Sequence, residues 1–263
     1  MRSLLTVRFF MILNGTVFAL AAAMFQPTIS DYQTQPDNAP LNFPAANDRC
    51  VLAPSRPQFL SGLRRRVNRE VRRRKVGRAY DMALEIARQI GRADDILDVG
   101  CGNGFIAHHL AALLGSYVMG IDVGGIPDAP INYRGYDGLH FPLPARSFEL
   151  VLFCYVLHHA QDLDAIFTEV RRVLRDDGFV VIYEDVPAQW WDRIVCAIHN
   201  FKWRKRTGPC TFHTDSEWRE IFAMAGFETL KNKRLSRWRK VVHPVRRQFF
   251  LLRPCSSNVA NAN

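Results

Sequence analysis

The chain has 263 residues, 48% of them hydrophobic and 23% charged, which is the balance of an ordinary globular protein. That balance excludes a wholly disordered chain, a collagen and a multi-span membrane protein, and six cysteines without a CxxC pair exclude a disulfide-rich scaffold. The formal net charge of +10 is uneven, because an acidic middle, 79–198, separates basic segments at 64–78 and 199–263, which favours an anionic partner for the two flanks.

The first 25 residues form an apolar N-terminal segment with a basic start. Arg2 and Arg8 precede the mostly apolar run 9–25, which holds alanines near its end and no acidic residue. Three interpretations stay open: a secretory signal or membrane anchor, an organelle transit segment, and a start codon assigned too early. We expect a disordered linker over 26–60, because six prolines and no apolar periodicity occur there.

A long basic helix is predicted to open the folded domain, which we expect to span 61–255 before a disordered tail at 256–263. Apolar residues recur at helical spacing between Ser61 and Ile90, and nine basic side chains lie within 64–78. Three interpretations of the basic stretch stay open: a solvated face, a contact with anionic lipid, and a contact with nucleic acid.

Short apolar runs then alternate with helical patterns. Strands are predicted at 96–99, 117–121, 131–133, 148–156, 179–183, 227–230 and 248–252, and helices at 105–114, 163–174 and 215–225. Strand–helix alternation with nearly continuous apolar strands predicts an α/β fold, a doubly wound and mostly parallel sheet covered by helices on both faces. The stretch 187–210, rich in tryptophan and basic residues, is predicted to form a lid over the substrate.

A glycine-rich turn is the strongest motif of the sequence. The turn contains Gly100, Gly102 and Gly104. It follows Asp98 where the first strand ends and a helix begins, the edge at which doubly wound sheets bind ligands. Asp122 ends the next strand, where a carboxylate can accept both hydroxyls of a ribose. A dinucleotide fingerprint needs a third glycine directly after Gly104, where this sequence has phenylalanine, so a plain NAD site fits less well.

In this order and spacing, the residues resemble the class I S-adenosylmethionine-dependent methyltransferases, in particular the small-molecule and lipid branch called type 11. The resemblance covers about 78–230 and extends beyond the glycine turn and Asp122. The further matching elements are Asp137-Gly138 ahead of Leu143-Pro144, then Leu157-His158-His159, then the helix and turn at 169–178. The resemblance implies a Rossmann-like, seven-stranded methyltransferase sheet whose last strand is antiparallel.

The resemblance also implies the cofactor, S-adenosylmethionine, and the residues that bind it. It places Asp98 near the positively charged methionine end, Asp122 at the ribose and Asp137 at the adenine. The implied cofactor-binding residues are Asp98, Gly100, Cys101, Gly102, Gly104, Asp122, Val123, Asp137 and Gly138.

Three side chains are candidates for catalysis: His159 after the fourth strand, Glu184 at the end of the fifth, and His213 before the last helix. An amine or an ionised phenol as the nucleophile needs no base, so the catalytic residue stays open. The spacing C-x2-H-x10-C-x2-H, which starts at Cys196, could supply the four ligands of a zinc site. Its second pair falls within an element that binds no metal in the family, so we expect no metal.

The sequence thus predicts an enzyme that moves a methyl group to a small-molecule or lipid-like acceptor by in-line displacement. Two alternatives stay open: a nucleic-acid methyltransferase that holds phosphates with its basic flanks, and a non-catalytic cofactor-binding protein. Because S-adenosylmethionine is made and kept in the cytoplasm, we expect a cytoplasmic catalytic domain. Two means of membrane attachment stay open: an anchor at 9–25, and an anionic surface contacted through 64–78 and 190–206.

Overall fold

The structure is a computed structural model, and it describes residues 58–235 and 245–255. The predictions for the apolar N-terminal segment, for most of the linker and for the tail at 256–263 lie outside the described residues. The first helix begins at Gln58, three residues before the predicted start at Ser61. Among the helices of the described part, none is both long and apolar enough to cross a membrane.

The described residues form an alternating series of helices and strands. The helices are α1 (Gln58–Ile90), α2 (Phe105–Leu114), α3 (Leu163–Val173), α4 (Trp190–Thr207) and α5 (Asp215–Met224). The strands are β1 (Asp95–Val99), β2 (Tyr117–Asp122), β3 (Asn132–Gly135), β4 (Phe148–Cys154), β5 (Leu174–Asp185), β6 (Phe227–Leu235) and β7 (Arg247–Pro254). A short 3₁₀ helix, Leu157–His159, follows β4.

The strands form a single seven-stranded sheet in the order β3-β2-β1-β4-β5-β7-β6. Neighbours from β3 to β5 pair in parallel, whereas β7 is antiparallel to both β5 and β6. The strand order reverses between β1 and β4, which is the switch point where doubly wound sheets bind ligands. The predicted fold class, including the antiparallel last strand, is confirmed.

Helices cover both faces of the sheet because alternate residues of a strand point to opposite sides. On β4, Val151 and Phe153 join a core with α3 and α5, whereas Leu150 and Leu152 join a second core with α1 and α2. Trp218 of α5 is fully buried in the first core. Burial on both faces explains why the strands are nearly continuous apolar runs.

The long helix α1 is buried at one end and exposed at the other. Ala83 and Ile86 are buried in the core beside α2, whereas the side chains from Arg66 to Lys75 are exposed. Most of the predicted basic stretch therefore faces solvent. Lys75 and Arg78 also line a cavity beside the end of β1.

The predicted lid segment, 187–210, contains α4. Asp192 Oδ2 accepts the backbone N–H of Gln189 at 3.1 Å, which fixes the first turn of the helix. After the helix, the Thr211 N–H donates to the His158 carbonyl at 2.8 Å. The segment that follows α4 is thus held at the carboxyl edge of the sheet, beside the end of β4.

Candidate active site

The glycine turn between β1 and α2 has the left-handed backbone that its composition predicts. Gly100 and Gly102 have φ angles of 71° and 54°, in a region that residues with a Cβ rarely adopt. At Gly100 a Cβ would also lie 2.2 Å from Val156 Cγ2, so the turn packs tightly against the chain after β4. At Gly102 a Cβ would meet no atom within 4 Å, so this part of the turn is open to a ligand.

The Asp122 carboxylate braces this turn from the end of β2. Its Oδ2 accepts the Gly102 N–H and its Oδ1 accepts the Gly124 N–H, both at 2.7 Å. Each carboxylate oxygen has a second lone pair, so the same side chain can still accept hydroxyl groups. The structure thus brings the predicted ribose-binding residue into contact with the predicted glycine loop.

A cavity of about 470 Å³ opens at the glycine turn, within the usual size range of small-molecule sites. The predicted cofactor-binding residues in its lining are Asp98, Gly100, Cys101, Gly102 and Gly104. The rest of the lining comes from Asn103 of the turn, from α1 and α2, and from the chain at the end of β4 and the start of β7. Elements that are far apart in the sequence therefore enclose one space over the turn.

Asp98 lines this cavity and is almost fully buried, with 1% of its surface exposed. Burial, and then the charge of Asp122, raise the pKa of Asp98 to about 7. Its Oδ2 accepts no hydrogen bond from the described residues. A buried carboxyl oxygen without a partner, in a cavity of ligand size, indicates a place for a cationic or hydrogen-bonding group.

Tyr155 and Arg247 line the same cavity, and sequence reasoning missed both. Tyr155 has a φ angle of 59°, an unfavourable conformation for a bulky side chain and one that is common at functional sites. The Arg247 guanidinium lies 5.3 Å from the centre of the Tyr155 ring, and its Nε lies 3.6 Å from Asp185 Oδ1. In the sequence Arg247 is one of many basic residues within 199–263, so nothing distinguished it.

The predicted adenine-binding residue lies outside the cavity lining. Asp137 Oδ1 accepts the backbone N–H groups of Leu139 and His140, and its Oδ2 lies 2.8 Å from His140 Nδ1. The backbone and then the ring of His140 hold the pKa of Asp137 well below its usual range. Gly138 lies beside Val123, since a Cβ at Gly138 would be 3.4 Å from Val123 Cγ1. The cofactor roles of these three predicted residues stay predictions.

Glu184, a catalytic candidate, is fully buried under the chain that follows β4. Its Oε1 accepts the Leu157 N–H at 2.7 Å, and its Oε2 lies 2.8 Å from His158 Nδ1. These hydrogen bonds hold the 3₁₀ helix in place. The observed contacts of Glu184 are therefore structural, and a contact with substrate stays a prediction.

The other two candidates, His159 and His213, also lie outside the described lining of the cavity at the glycine turn. Burial, followed by His158 and His199, lowers the pKa of His159 to about 4. His213 packs edge-on against the buried tryptophan of α5, with ring centroids 4.8 Å apart. None of the three catalytic candidates therefore lies in the described lining of this cavity, and their catalytic roles stay predictions.

Residues 97–182 match a protein family described as a methyltransferase domain. Sterol 24-C-methyltransferase ERG6B of Gibberella zeae is 29% identical over 137 residues, which is 44% of this chain and 36% of that protein. The mitochondrial arginine-hydroxylase NDUFAF5 of Rattus norvegicus is 31% identical over 111 residues, which is 40% of this chain and 32% of that protein. The chain thus spans only about a third of the length of each relative.

A solved structure, geranyl diphosphate C-methyltransferase of Streptomyces coelicolor, aligns with a TM-score of 0.52 at 15% identity, covering 66% of this chain and 77% of that one. At this identity the likeness shows the fold alone. The family match extends from within β1 to within β5, the part of the sheet that holds the glycine turn, Asp98 and Asp122. The match of residues 97–182 to a methyltransferase domain therefore confirms the predicted resemblance to the class I S-adenosylmethionine-dependent methyltransferases.

Proposed function

We propose that the chain transfers a methyl group from S-adenosylmethionine to a small-molecule or lipid-like acceptor. The arrangement at the glycine turn supports this most. A buried oxygen of Asp98 has no hydrogen-bond partner among the described residues. The space next to the Cα of Gly102 holds no protein atom, and the Asp122 carboxylate accepts the Gly102 N–H. One of the proteins that the chain resembles, a sterol 24-C-methyltransferase, is named for a lipid acceptor.

The residues at the turn fit the parts of this cofactor. Asp98 offers a carboxylate to its cationic methionine end, and Asp122 keeps lone pairs for the ribose hydroxyls. Gly102 lets a ligand approach the backbone without a Cβ between them. When bound, S-adenosylmethionine supplies a methyl group on a positively charged sulfur.

The chain's own contribution is to bind and align the two reactants. Alignment of reacting groups can lower a barrier by about 7–11 kcal/mol relative to free collision, so no acid or base is required for a large effect. Met82, Ile106 and Tyr155 give the cavity apolar and aromatic walls. Such walls suit the apolar part of an acceptor and exclude water from the reacting atoms.

Three cations at the cavity favour an acceptor with an anionic group. Lys75 and Arg78 of α1 and Arg247 of β7 line the same space. One of them can pair with the cofactor's own carboxylate, which leaves the others for a carboxylate or phosphate on the acceptor. Together with the apolar walls, this charge supports an amphiphilic acceptor with an anionic head.

Cofactor binding is expected to strengthen as pH rises through the pKa of Asp98. With a pKa of about 7, about a tenth of the Asp98 side chains is ionised at pH 6 and about three quarters at pH 7.5. Only the ionised form attracts the cationic end, so S-adenosylhomocysteine should bind about eightfold more tightly at pH 7.5. Calorimetric titration measures this, and the dependence should disappear in Asp98→Asn. Equal affinity of the unaltered chain at both pH values would contradict the role of Asp98.

The exposed face of α4 supports a contact with anionic lipid. Trp190, Ile198 and Phe201 recur at helical spacing and are 70%, 63% and 73% exposed, which is high for large apolar side chains. Lys202 is exposed beside them, and the Arg204 guanidinium lies 5.3 Å from the centre of the Phe201 ring. Aromatic residues beside cations are typical of helices that lie in a membrane interface. We infer that α4 contacts the lipid layer that holds the acceptor.

Loss of the apolar face should release the chain from lipid vesicles. The double change Trp190→Ser and Phe201→Ser is expected to lower co-sedimentation with phosphatidylserine-containing vesicles at least tenfold, because each buried aromatic is worth about 1.5–3 kcal/mol. Met224→Ser, at an 80% exposed position on α5, is the matched control. Undiminished binding of the double variant, or equal binding to uncharged vesicles, would argue against the contact.

Methyl transfer itself is tested with S-adenosylmethionine labelled on its methyl group. The purified chain is incubated with cell extract, and lipid, nucleic-acid, protein and small-molecule fractions are separated. Label in the lipid or small-molecule fraction, lost in Asp122→Ala, would support the proposal, whereas label in nucleic acid would favour a role for the basic flanks. No label, with cofactor binding intact, would favour another activity, as the named function of the arginine-hydroxylase relative illustrates.

A further inference from the structure

Three histidines meet at the carboxyl edge of the sheet, outside the lining of the cavity at the glycine turn. His158 and His159 lie in the 3₁₀ helix after β4, and His199 lies on α4. One ring nitrogen of each lies within 4.8 Å of the other two. Two separate elements thus present three imidazoles to one small volume, and imidazole is the ligand that divalent transition metals commonly take.

His158 is held in the way that metal-binding histidines are held. Its Nδ1 lies 2.8 Å from Glu184 Oε2, and the two side chains are 3% and 0% exposed. A carboxylate only accepts, so Nδ1 carries the proton and Nε2 is the nitrogen that can bind a metal. Phe212 stacks on the His158 ring at 4.7 Å with an interplanar angle of 18°, which fixes the direction of that nitrogen.

Cys210 lies beside one of these histidines and could supply a fourth ligand. Its Sγ lies 3.2 Å from His159 Nδ1, and the side chain is buried. Asn200 of α4 accepts the Cys210 N–H at 3.0 Å, which holds the cysteine against the helix that provides His199. Three imidazoles and one thiolate form a set that tetrahedral zinc accepts.

The buried charge beside the cluster also favours a cation. The Glu184 carboxylate is fully buried against His158. A divalent ion bound by His158 would offset part of this buried negative charge.

We propose that the three histidines and Cys210 bind a zinc-class divalent metal ion that ties α4 to the chain after β4. Nitrogens across a tetrahedral zinc lie about 3.4 Å apart, so side-chain movements of about 1.4 Å or less bring the three histidine nitrogens from separations of up to 4.8 Å to those of a zinc site. Only His199 and Cys210 belong both to this group and to the four residues, starting at Cys196, whose spacing in the sequence resembles a zinc site. His213 is one of those four residues but packs against the tryptophan of α5.

Cobalt(II) is the probe, because its tetrahedral complexes absorb visible light and its thiolate complexes add a near-ultraviolet band. The untagged full-length chain is stripped with a chelator and titrated with Co²⁺, which zinc should then displace. We expect one equivalent of Co²⁺ and both absorptions. His199→Ala should weaken binding at least tenfold, and Cys210→Ser should remove the thiolate band. His213→Ala, the matched control, should change neither.

Circular dichroism and thermal unfolding establish that each variant is folded. Folded chain that gives no tetrahedral Co²⁺ spectrum would overturn the proposal. Equal effects of His199→Ala and His213→Ala would overturn it as well, because only His199 belongs to the cluster. None of these measurements requires methyl transfer, so the metal site and the proposed function are tested separately.

Discussion

Replacement of Asp122 by alanine is expected to weaken S-adenosylhomocysteine binding at least tenfold, or by about 1.4 kcal/mol. The carboxylate accepts the N–H groups of Gly102 and Gly124 at 2.7 Å each, so its removal releases the glycine turn from the loop after β2. The change also removes the predicted acceptor of the ribose hydroxyls. Calorimetric titration at pH 7.5 measures the loss.

Asp176→Ala is the matched control for this experiment. Its side chain is 80% exposed and lies near the start of β5, at the sheet edge opposite the glycine turn. The control should bind as the unaltered chain does. Unchanged affinity in Asp122→Ala, in a protein that is otherwise folded, would remove Asp122 from the cofactor site.

Gly100→Ala is expected to lower the stability of the fold. The left-handed backbone costs alanine about 1–2 kcal/mol, and the overlap with Val156 adds about 1–3 kcal/mol. Thermal unfolding should therefore occur roughly 4–20 °C lower. Differential scanning calorimetry checks the shift.

Gly102→Ala separates stability from binding at the same turn. Its φ of 54° costs alanine about 1–2 kcal/mol, but the new methyl group meets no atom of the protein within 4 Å. Instead the methyl group occupies space that the cofactor needs, so affinity for S-adenosylhomocysteine should fall at least tenfold. The prediction would be contradicted if the Gly102→Ala chain were less stable than the Gly100→Ala chain and still bound S-adenosylhomocysteine with the affinity of the unaltered chain.

The sheet and the glycine turn could be predicted from the sequence because both depend on local pattern. The helix predicted at 105–114 is observed as Phe105–Leu114, and the apolar run at β4 is a central strand buried on both faces. Strand β5 is longer than the predicted 179–183, because pairing with β4 and β7 continues on both sides of its apolar centre. The polar residues 175–177 near its start gave no strand pattern.

Contacts between distant parts of the chain could not be predicted in this way. Arg247 reaches the cavity only because β7 inserts next to β5, and the sequence of the basic segment gives no sign of that neighbour. The histidine cluster likewise joins His158 and His159 to His199 across the whole of α3 and β5. The spacing at Cys196 does not indicate this cluster, because spacing along a chain does not report which way a loop folds.

The cofactor assignment is tested most directly by a crystal structure of the chain with S-adenosylhomocysteine. We expect the ligand to lie over Gly102, with its amino group at the Asp98 carboxylate and its ribose hydroxyls at Asp122. A ligand bound elsewhere on the protein, or no binding in solution at millimolar concentration, would contradict the assignment of this turn as the cofactor site.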